Sequence, residues 1–398
     1  MIKFQRSAVT LVLGGFVMAG CGSDVSSGSP DGSVRGSGGS SGAAGSTGTG
    51  GRTGGGGGTT GTGGTTGTGG VTGTGGVTGT GGMTGTGGTT GARGVSMLGG
   101  CNLFPADNPW NRDISQDTVH AMSATYLANM VPTKTFHPDW GSMTDGYGIP
   151  FSSGTGATPQ PMTWTASWGN TESERIPCPT GGNNFCYPIP LTAPIEGGPS
   201  ADSGADRHVL YLDTAGAPNN CTLYELYNAQ NPTGAAGWRA QNGAVFHLGS
   251  NALRTDGWTS ADAAGLPVLP GLVRYDEVMS GEIRHAIRFT MNNTSQGYIH
   301  PATHASGQSN TALPPQGLRL RLKASFDVSS FTGPTLVILK AMKKYGLILA
   351  DNGSDWYISG ESNNAWPPLM DGILSGMQRL HGSDFEAIDS GPVSTNGL

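Results

Sequence analysis

The sequence predicts a mainly β domain, a sandwich or jelly-roll-like fold with a few helices, carried on a disordered linker. Three observations predict it. Candidate strands outnumber candidate helices, several apolar runs alternate with period two, and a long early segment is almost all glycine, threonine and serine. The candidate domain, residues 101–398, is long enough to bury a substantial core.

Residues 1–20 have the character of a signal peptide. A positively charged start precedes an apolar stretch from Ala8 to Met18. This stretch is well short of the roughly 20 residues that cross a bilayer. Met18-Ala-Gly-Cys21 resembles the bacterial lipobox, which implies export and a lipid on Cys21, and Gly22 implies sorting to the outer membrane or cell surface. Cleavage without lipidation, followed by free secretion, is the alternative.

Residues 21–100 are predicted to be a disordered linker, because they contain too little apolar surface to offset chain entropy. Within them, Thr60 to Thr89 is five tandem copies of Thr-Gly-Thr-Gly-Gly-x. A β-solenoid needs a regular apolar core position, and one variable residue per repeat does not supply it. As a glycine-rich coil, the linker has a reach of about 50 Å.

Charge and motif content exclude several classes of function. The net charge of −6 and the lack of a basic patch argue against a nucleic-acid partner. The sequence has no Gly-x-Ser-x-Gly elbow, no His-Glu-x-x-His, no phosphate-binding loop and no EF-hand. We therefore expect no cofactor, no bound metal and a monomer whose only membrane contact is the N-terminal lipid.

Four cysteines remain after Cys21, an even number that suits two disulfides in an oxidising compartment. The short interval between Cys178 and Cys186 favours one bridge there, which leaves Cys101 with Cys221. Zinc ligation is the alternative, but no Cys-x-x-Cys pair is present.

Four segments show strand patterns. His208 to Asp213 and Thr222 to Asn228 are predicted to form an antiparallel hairpin. Gly317 to Ala324 alternates leucine with arginine or lysine and is predicted to be half buried. Glu282 to Thr290 is the fourth candidate.

One helix is predicted from Pro334 to Tyr345, where proline suits the first turn and Gly346 the end. A shorter helix is predicted to begin at Ser260. Residues 351–354, Asp-Asn-Gly-Ser, are predicted to form a turn between two strands.

The central hairpin supplies the first candidate catalytic residues. Asp206, Arg207 and His208 open its first strand, and Glu225 lies inside the apolar stretch of its second. Burial raises the pKa of a carboxyl group, as a general acid requires. A structural ion pair between Glu225 and Arg207 is the alternative.

Further candidates carry both structural and functional interpretations. His285 shares the apolar face of its predicted strand, as a core histidine or as a neighbour of His208. Asp262 is a possible acid, but with Thr259 it fits a capping box. Asp351 is a candidate acid in a turn. His300 and His304 have a spacing that can bind metal, although Pro301 argues against a shared helix.

Aromatic residues near loops suggest sugar binding, because flat apolar rings beside polar groups suit sugar rings. Buried tryptophans packing on a core would show the same pattern. Six tryptophans lie in segments that contain Gly, Pro, Asn or Asp: Trp110, Trp140, Trp238, Trp258, Trp356 and Trp366. The candidate substrate-binding residues are Arg207, Tyr224, Trp258, Tyr298 and Trp356.

The domain resembles a family of uncharacterised secreted bacterial proteins. The resemblance covers most of residues 104–387 and implies no activity and no site residues. It rests on the stretches Phe104-Pro-Ala-Asp-Asn-Pro-Trp110, Ala193-Pro-Ile-Glu-Gly-Gly198, Asp206-Arg-His208, Trp258-Thr-Ser-Ala-Asp-Ala-Ala-Gly-Leu-Pro267, Gly281-Glu-Ile-Arg-His-Ala286 and Leu349-Ala-Asp-Asn-Gly-Ser354.

These observations favour a surface-tethered glycoside hydrolase that acts on an extracellular polysaccharide through a pair of carboxylates. The pair is drawn from Asp206, Glu225 and Asp351, with His208 or His285 orienting the substrate. A polysaccharide lyase would instead use Tyr224, Tyr298 or His285. A non-catalytic glycan-binding or adhesive lipoprotein is the alternative from another class, and a structural envelope protein is a third.

Overall fold

The computed structural model describes residues 94–181, 184–198, 206–231 and 237–398. The predicted signal peptide, Cys21 and the repeats lie outside these residues. The predicted domain start at residue 101 is several residues too late. Ser96 is already buried, and the first strand is Met97–Leu98.

Fifteen strands and five helices are present in the described part of the chain. The strands are β1 (Met97–Leu98), β2 (Cys101–Asn102), β3 (His137–Asp139), β4 (Phe151–Gly154), β5 (Gln160–Trp164), β6 (Cys186–Tyr187), β7 (Val209–Asp213), β8 (Thr222–Tyr227), β9 (Trp238–Ala240), β10 (Asn242–His247), β11 (Ile287–Met291), β12 (Arg319–Leu322), β13 (Leu347–Asn352), β14 (Tyr357–Ser359) and β15 (Phe385–Ile388). The helices are α1 (Ser123–Ala128), α2 (Gly169–Glu172), α3 (Tyr275–Ser280), α4 (Gly333–Lys344) and α5 (Pro367–Met377).

A mixed six-stranded sheet of order β15-β12-β13-β11-β14-β3 lies in the larger hydrophobic core. Its strand β13 has neighbours on both sides, and Leu347 to Ala350 are fully buried. A strand covered on both faces needs a continuous apolar run, which this segment supplies. Helices α4 and α5 pack against each other, and α4 also contacts β12.

The predicted long helix is confirmed as α4, with Pro334 in its first turn. The chain leaves the helix through Gly346, whose φ is +74°. A Cβ atom there would lie 2.2 Å from the carbonyl oxygen of Leu320. Glycine is therefore required both by the backbone angle and by the close approach to β12.

The predicted hairpin is confirmed as β7 and β8, which pair antiparallel with Leu210 opposite Glu225. They belong to a four-stranded sheet of order β10-β8-β7-β4. A three-stranded sheet of order β6-β5-β9 and the pair β1-β2 complete the described sheets. A smaller core cluster, which includes Tyr187 and Trp238, packs beside the four-stranded sheet.

The mainly β class is confirmed, whereas the finer prediction of a sandwich or jelly roll is not. Four pairings are parallel: β11 with β13, β14 with β3, β4 with β7 and β5 with β9. Jelly rolls are built from antiparallel strands, so these pairings belong to a different arrangement. No helix in the described ranges is both long and apolar enough to cross a bilayer.

Two local predictions were wrong. Strand β11 begins at Ile287, so residues 282–286 are not part of a strand as predicted, although Ile283 and His285 are buried and Glu282 and Arg284 are exposed. The helix predicted at Ser260 is a tight turn instead. The hydroxyl groups of Thr259 and Ser260 both donate to the carbonyl of Asp262, which satisfies these groups without a helix.

The strand β12 is buried on both faces, although its sequence predicted one exposed face. Arg319 is 2% exposed, and its guanidinium donates to the carbonyls of Tyr345 and Pro109. Arg321 donates to Glu386 and to the carbonyl of Ile114. Hydrogen bonding to these acceptors allows two arginines to lie inside the protein.

Both predicted disulfides are confirmed. Cys178 pairs with Cys186 across 8 residues, and Cys101 pairs with Cys221 across 120 residues. The long bridge ties the first strands of the domain to the start of β8. It therefore restricts the unfolded chain much more than the short one does.

We expect the two bridges to differ in their contribution to stability. Chain entropy predicts a loss of about 5 kcal/mol for Cys101→Ser/Cys221→Ser and about 2.5 kcal/mol for Cys178→Ser/Cys186→Ser. Urea unfolding of the two double variants measures both losses. Equal losses would contradict the prediction.

Candidate functional site

Four segments bring charged side chains together beside the two central strands of the six-stranded sheet, β13 and β11. Asp351 lies near the end of β13, and Arg288 lies on β11. His208 immediately precedes β7 of the four-stranded sheet. The turn that contains Asp262 packs against β13, where the amide of Ala264 bonds to the carbonyl of Ala350.

A buried guanidinium connects these segments. Arg288 is 3% exposed and Asp262 is fully buried. The guanidinium binds both carboxylate oxygens of Asp262, with Nε 3.1 Å from Oδ2, and also donates to the hydroxyl of Ser359. Its Nη2 lies 3.8 Å from Oδ2 of Asp351. The geometry is bidentate, which suits arginine and not lysine.

Asp351, a candidate acid in the sequence analysis, has a raised pKa, although that shift was predicted for Glu225. Burial, together with the nearby charges of Asp262 and Asp206, raises the pKa of Asp351 to about 8, even though Arg288 acts in the opposite direction. Oδ1 accepts hydrogen bonds from the amides of Asn352 at 2.7 Å and Ala263 at 3.3 Å. At neutral pH, Asp351 therefore carries a proton.

His208 forms a second buried ion pair, with Glu196. Its Nδ1 lies 2.6 Å from Oε2 of Glu196, and its Nε2 lies 3.0 Å from the carbonyl of Ala261. Burial alone would lower the pKa of His208, but the charge and hydrogen bond of Glu196 raise it to about 10. His208 is therefore a cation whose two ring N–H groups are both occupied, which makes it a positioning residue.

Glu225 is enclosed in the protein, and neither of its oxygens is available to a substrate. It is 0% exposed. Both oxygens accept from the amide of Val268, and Oε1 also accepts from Leu269 at 2.9 Å. Burial raises its pKa to about 7, in the direction predicted from sequence. Its contacts show that it holds residues 268–269 and does not face a cavity.

Two adjacent cavities meet at Asp206, Asp351 and Asn352, which lie in the walls of both. The first, cavity A, has a volume of about 540 Å³, and the second, cavity B, about 370 Å³. These sizes suit small-molecule or sugar ligands. Asp206 is exposed and forms no ion pair in the described ranges. The two carboxyl groups therefore stand where the cavities join.

Aromatic rings line both cavities, on either side of this junction. Trp168 and Tyr227 line cavity A, with ring centroids 6.4 Å apart. Tyr147 and Tyr357 line cavity B, and Tyr147 is 60% exposed. Partly exposed rings of this kind offer flat apolar surfaces next to polar groups.

The structure does not bring His285 to the cleft. Its Nε2 lies 2.9 Å from Oε2 of Glu277, which also binds Arg274 and the hydroxyl of Ser96. This separate buried network connects α3 to the start of the domain. The predicted meeting of His285 with His208 depended on a strand over 282–290, but residues 282–286 lie outside β11.

The predicted substrate-binding residues are mostly buried elsewhere. Trp356 and Tyr298 are 0% exposed, and the indole N–H of Trp356 donates to the carbonyl of Met130. Tyr224 packs against the smaller core cluster, and Trp258 lies near the guanidinium of Arg254. Arg207 is 4% exposed, and its Nε donates to the carbonyl of Ala229. None of the five lines cavity A or cavity B.

The two histidines with metal-binding spacing have separate partners. His300 lies 2.8 Å from a carboxylate oxygen of Asp256, and His304 lies 2.7 Å from the carbonyl of Ala263. His304 also lines cavity A. Over the described ranges, no group of three or more His, Cys, Asp or Glu residues is arranged to hold a metal ion.

Sequence reasoning missed Trp168, Glu196 and Arg288. Trp168 is followed by Gly-Asn and meets the same loop criterion as the six tryptophans considered, five of which are at most 3% exposed. Glu196 lies inside the Ala193-to-Gly198 stretch, but nothing in the sequence indicated that it pairs with His208. Asp262 was interpreted as a helix cap, and the structure corrects this, because its carboxylate binds Arg288.

We expect Arg288→Met to destabilise the protein by about 3–5 kcal/mol, because it leaves a fully buried carboxylate without a cation. Asp262→Asn in the same chain removes that charge, so the double variant should be less destabilised than the sum of the single changes. Urea unfolding of the four chains gives the coupling energy. Arg112→Met, which breaks the exposed pair with Asp117, is the control and should cost about 0–1 kcal/mol. Strictly additive losses at Arg288 and Asp262 would contradict the prediction.

Comparisons with protein-family profiles, with curated proteins and with solved structures found no match for this chain. The functional interpretation therefore depends on the geometry of the site. That geometry places a proton-bearing Asp351 and an exposed Asp206 at the junction of two cavities with aromatic walls.

Proposed function

We propose that the domain hydrolyses a polysaccharide, with Asp351 as the general acid and Asp206 as the general base. The observation that carries this proposal is their shared position. Both carboxyl groups line both cavities, and burial raises the pKa of Asp351 to about 8. Glycoside hydrolysis requires two carboxyl groups beside the bond that breaks, one of which donates a proton.

The reaction can be written with these two groups and water. Asp351 gives its proton to the glycosidic oxygen, and the bond from that oxygen to the anomeric carbon breaks. Water forms the new bond to the anomeric carbon and gives a proton to the Asp206 carboxylate. The products are two shorter chains, and the proton returns from Asp206 to Asp351 through solvent.

The aromatic rings support a polymeric substrate. A polysaccharide cleaved at its interior needs binding surfaces on both sides of the bond that breaks. Cavity A offers Trp168 and Tyr227 on one side, and cavity B offers Tyr147 and Tyr357 on the other. Glu225 would act through the residues that it holds. Glu196, His208 and Arg288 lie in the wall of cavity B, where each is engaged in a buried ion pair.

We expect Asp351→Asn to lower kcat by about 100- to 10,000-fold on a susceptible polysaccharide, because asparagine cannot donate the proton. For the wild type, kcat should fall as pH rises through about 8, where Asp351 ionises. Reducing-end assays on a panel of polysaccharides measure both effects. Asp389→Asn is the matched control, since Asp389 is exposed and lines neither cavity.

Two outcomes would favour another candidate function, and two further outcomes test the assignment of Asp351 as the acid. Binding to a glycan with no turnover by the wild type would favour the non-catalytic glycan-binding alternative. Products with an unsaturated ring, detected by ultraviolet absorbance, would indicate a lyase. Turnover that Asp351→Asn leaves unchanged would reject the acid assignment. Loss of turnover with an unchanged melting temperature at pH 7 would support it.

We also propose that the chain is exported and anchored by a lipid on Cys21. The support is the lipobox-like Met18-to-Cys21 segment together with the two disulfides, which are compatible with an oxidising compartment. The linker would then allow the domain to search within about 50 Å of its anchor.

Expression of the full chain in a bacterial host tests the anchor. We expect the wild type to fractionate with membranes and to carry an added lipid mass on its N-terminal peptide. Cys21→Ser should release the protein from the membrane fraction, whereas Ser23→Ala should not. Identical fractionation of the wild type and Cys21→Ser would contradict the proposal.

A further inference from the structure

A third cavity continues the row formed by cavities A and B. This cavity, cavity C, has a volume of about 340 Å³ and shares Asp139 and Tyr147 with cavity B. It lies between β3 and α5, with Pro367 and Asp371 of α5 in its wall. The three cavities are therefore adjacent, and Asp206 and Asp351 lie between A and B.

The walls of this row carry carboxylates without matching cations. Asp139, Asp145 and Asp371 line cavity C, and all three are exposed. In the described ranges, none of them forms an ion pair. Asp145 accepts a hydrogen bond from the neutral hydroxyl of Ser142. Cavity C therefore presents three carboxylates and, among basic side chains, only His137.

The cations nearest the junction are already neutralised. Arg288 binds Asp262, and His208 binds Glu196. Cavity A adds the carboxylate of Glu172, and Asp206 lines both cavity A and cavity B. An anionic polymer lying along this row would meet carboxylates in every cavity, and the two cations that line cavity B, His208 and Arg288, are already paired with carboxylates.

A second feature of cavity C points to a polar ligand. Trp140 lines the cavity and is 3% exposed, yet its indole N–H has no hydrogen-bond acceptor in the described part of the chain. A buried donor without an acceptor is costly unless a ligand or water supplies one. The ring of Tyr147, 60% exposed, stands at the junction with cavity B.

We infer that the row of cavities binds a polysaccharide that carries free amino groups, an inference that rests on the proposed polysaccharide hydrolysis. Ammonium groups on the sugar pair with the carboxylates of cavity C, and the ring of Tyr147 supplies a cation–π surface beside them. A sugar hydroxyl group supplies the hydrogen-bond acceptor for the indole N–H of Trp140. Uronate-containing and sulfated polymers are excluded by charge.

The first test compares three oligosaccharides of equal length: glucosamine, N-acetylglucosamine and galacturonate hexamers. Calorimetry with the intact chain should give the tightest binding for the glucosamine hexamer, by about 10-fold or more over the N-acetylated one at low salt. The galacturonate hexamer should not bind. Because charge pairs are screened by salt, the preference should shrink at high ionic strength.

The second test changes the charge of cavity C. Asp145→Asn/Asp371→Asn should weaken binding of the glucosamine hexamer by about 5- to 10-fold, within the range expected for two exposed charge pairs. Binding of the N-acetylglucosamine hexamer should change little. Asp107→Asn/Asp389→Asn is the matched control, because it removes the same net charge from exposed residues that line none of the three cavities.

The two proposals fail in different ways. Equal affinity for all three hexamers, or equal weakening by the control pair, would overturn the inference about amino groups. If the inference about amino groups fails in either way but the protein still cleaves a neutral polysaccharide, the hydrolase proposal stands. Selective, salt-sensitive binding of the glucosamine hexamer without turnover by any chain would support the amino-group inference and reject the hydrolase.

Discussion

The arrangement of the site depends on the buried ion pair between Arg288 and Asp262. One guanidinium, fixed on a strand of the six-stranded sheet, holds a carboxylate from an irregular segment and lies near Asp351. Residues 259–268 form no helix or strand, so this segment is held by contacts with its neighbours and not by a regular backbone ladder. Buried ion pairs contribute little net stability but specify one arrangement, which is the role that this geometry supports.

Two other buried charged residues hold the same segment from the four-stranded sheet. His208 bonds to the carbonyl of Ala261, and Glu225 receives the amides of Val268 and Leu269. The wall of cavity A is thus fixed from both sheets. Burial of Asp351, together with the neighbouring carboxyl groups of Asp262 and Asp206, keeps a proton on Asp351 at neutral pH.

Local patterns were enough to predict the hairpin, helix α4 and both disulfides, since each depends on residues close in sequence or on an even cysteine count. Tertiary pairing decided the rest. Residues 282–286 have a period-two pattern, but His285 bonds to Glu277 and its segment leaves the sheet. Asp262 fits a capping box, yet its partner Arg288 is 26 residues away and invisible to spacing rules. Asp206 and Asp351 were both among the residues from which the sequence analysis drew a carboxylate pair, but only the tertiary structure shows that they line the same two cavities.

The long disulfide has a mechanical consequence if the domain works at the end of a lipid tether. A pull on the tether would reach Cys101 at the pair β1-β2. The covalent bridge would then carry tension to Cys221, 120 residues further along the chain. The residues enclosed between the two cysteines, including Trp168, Glu196 and His208, could not be drawn out as extended chain while the bridge is intact. This part of the candidate cleft would therefore not unravel from its anchored end.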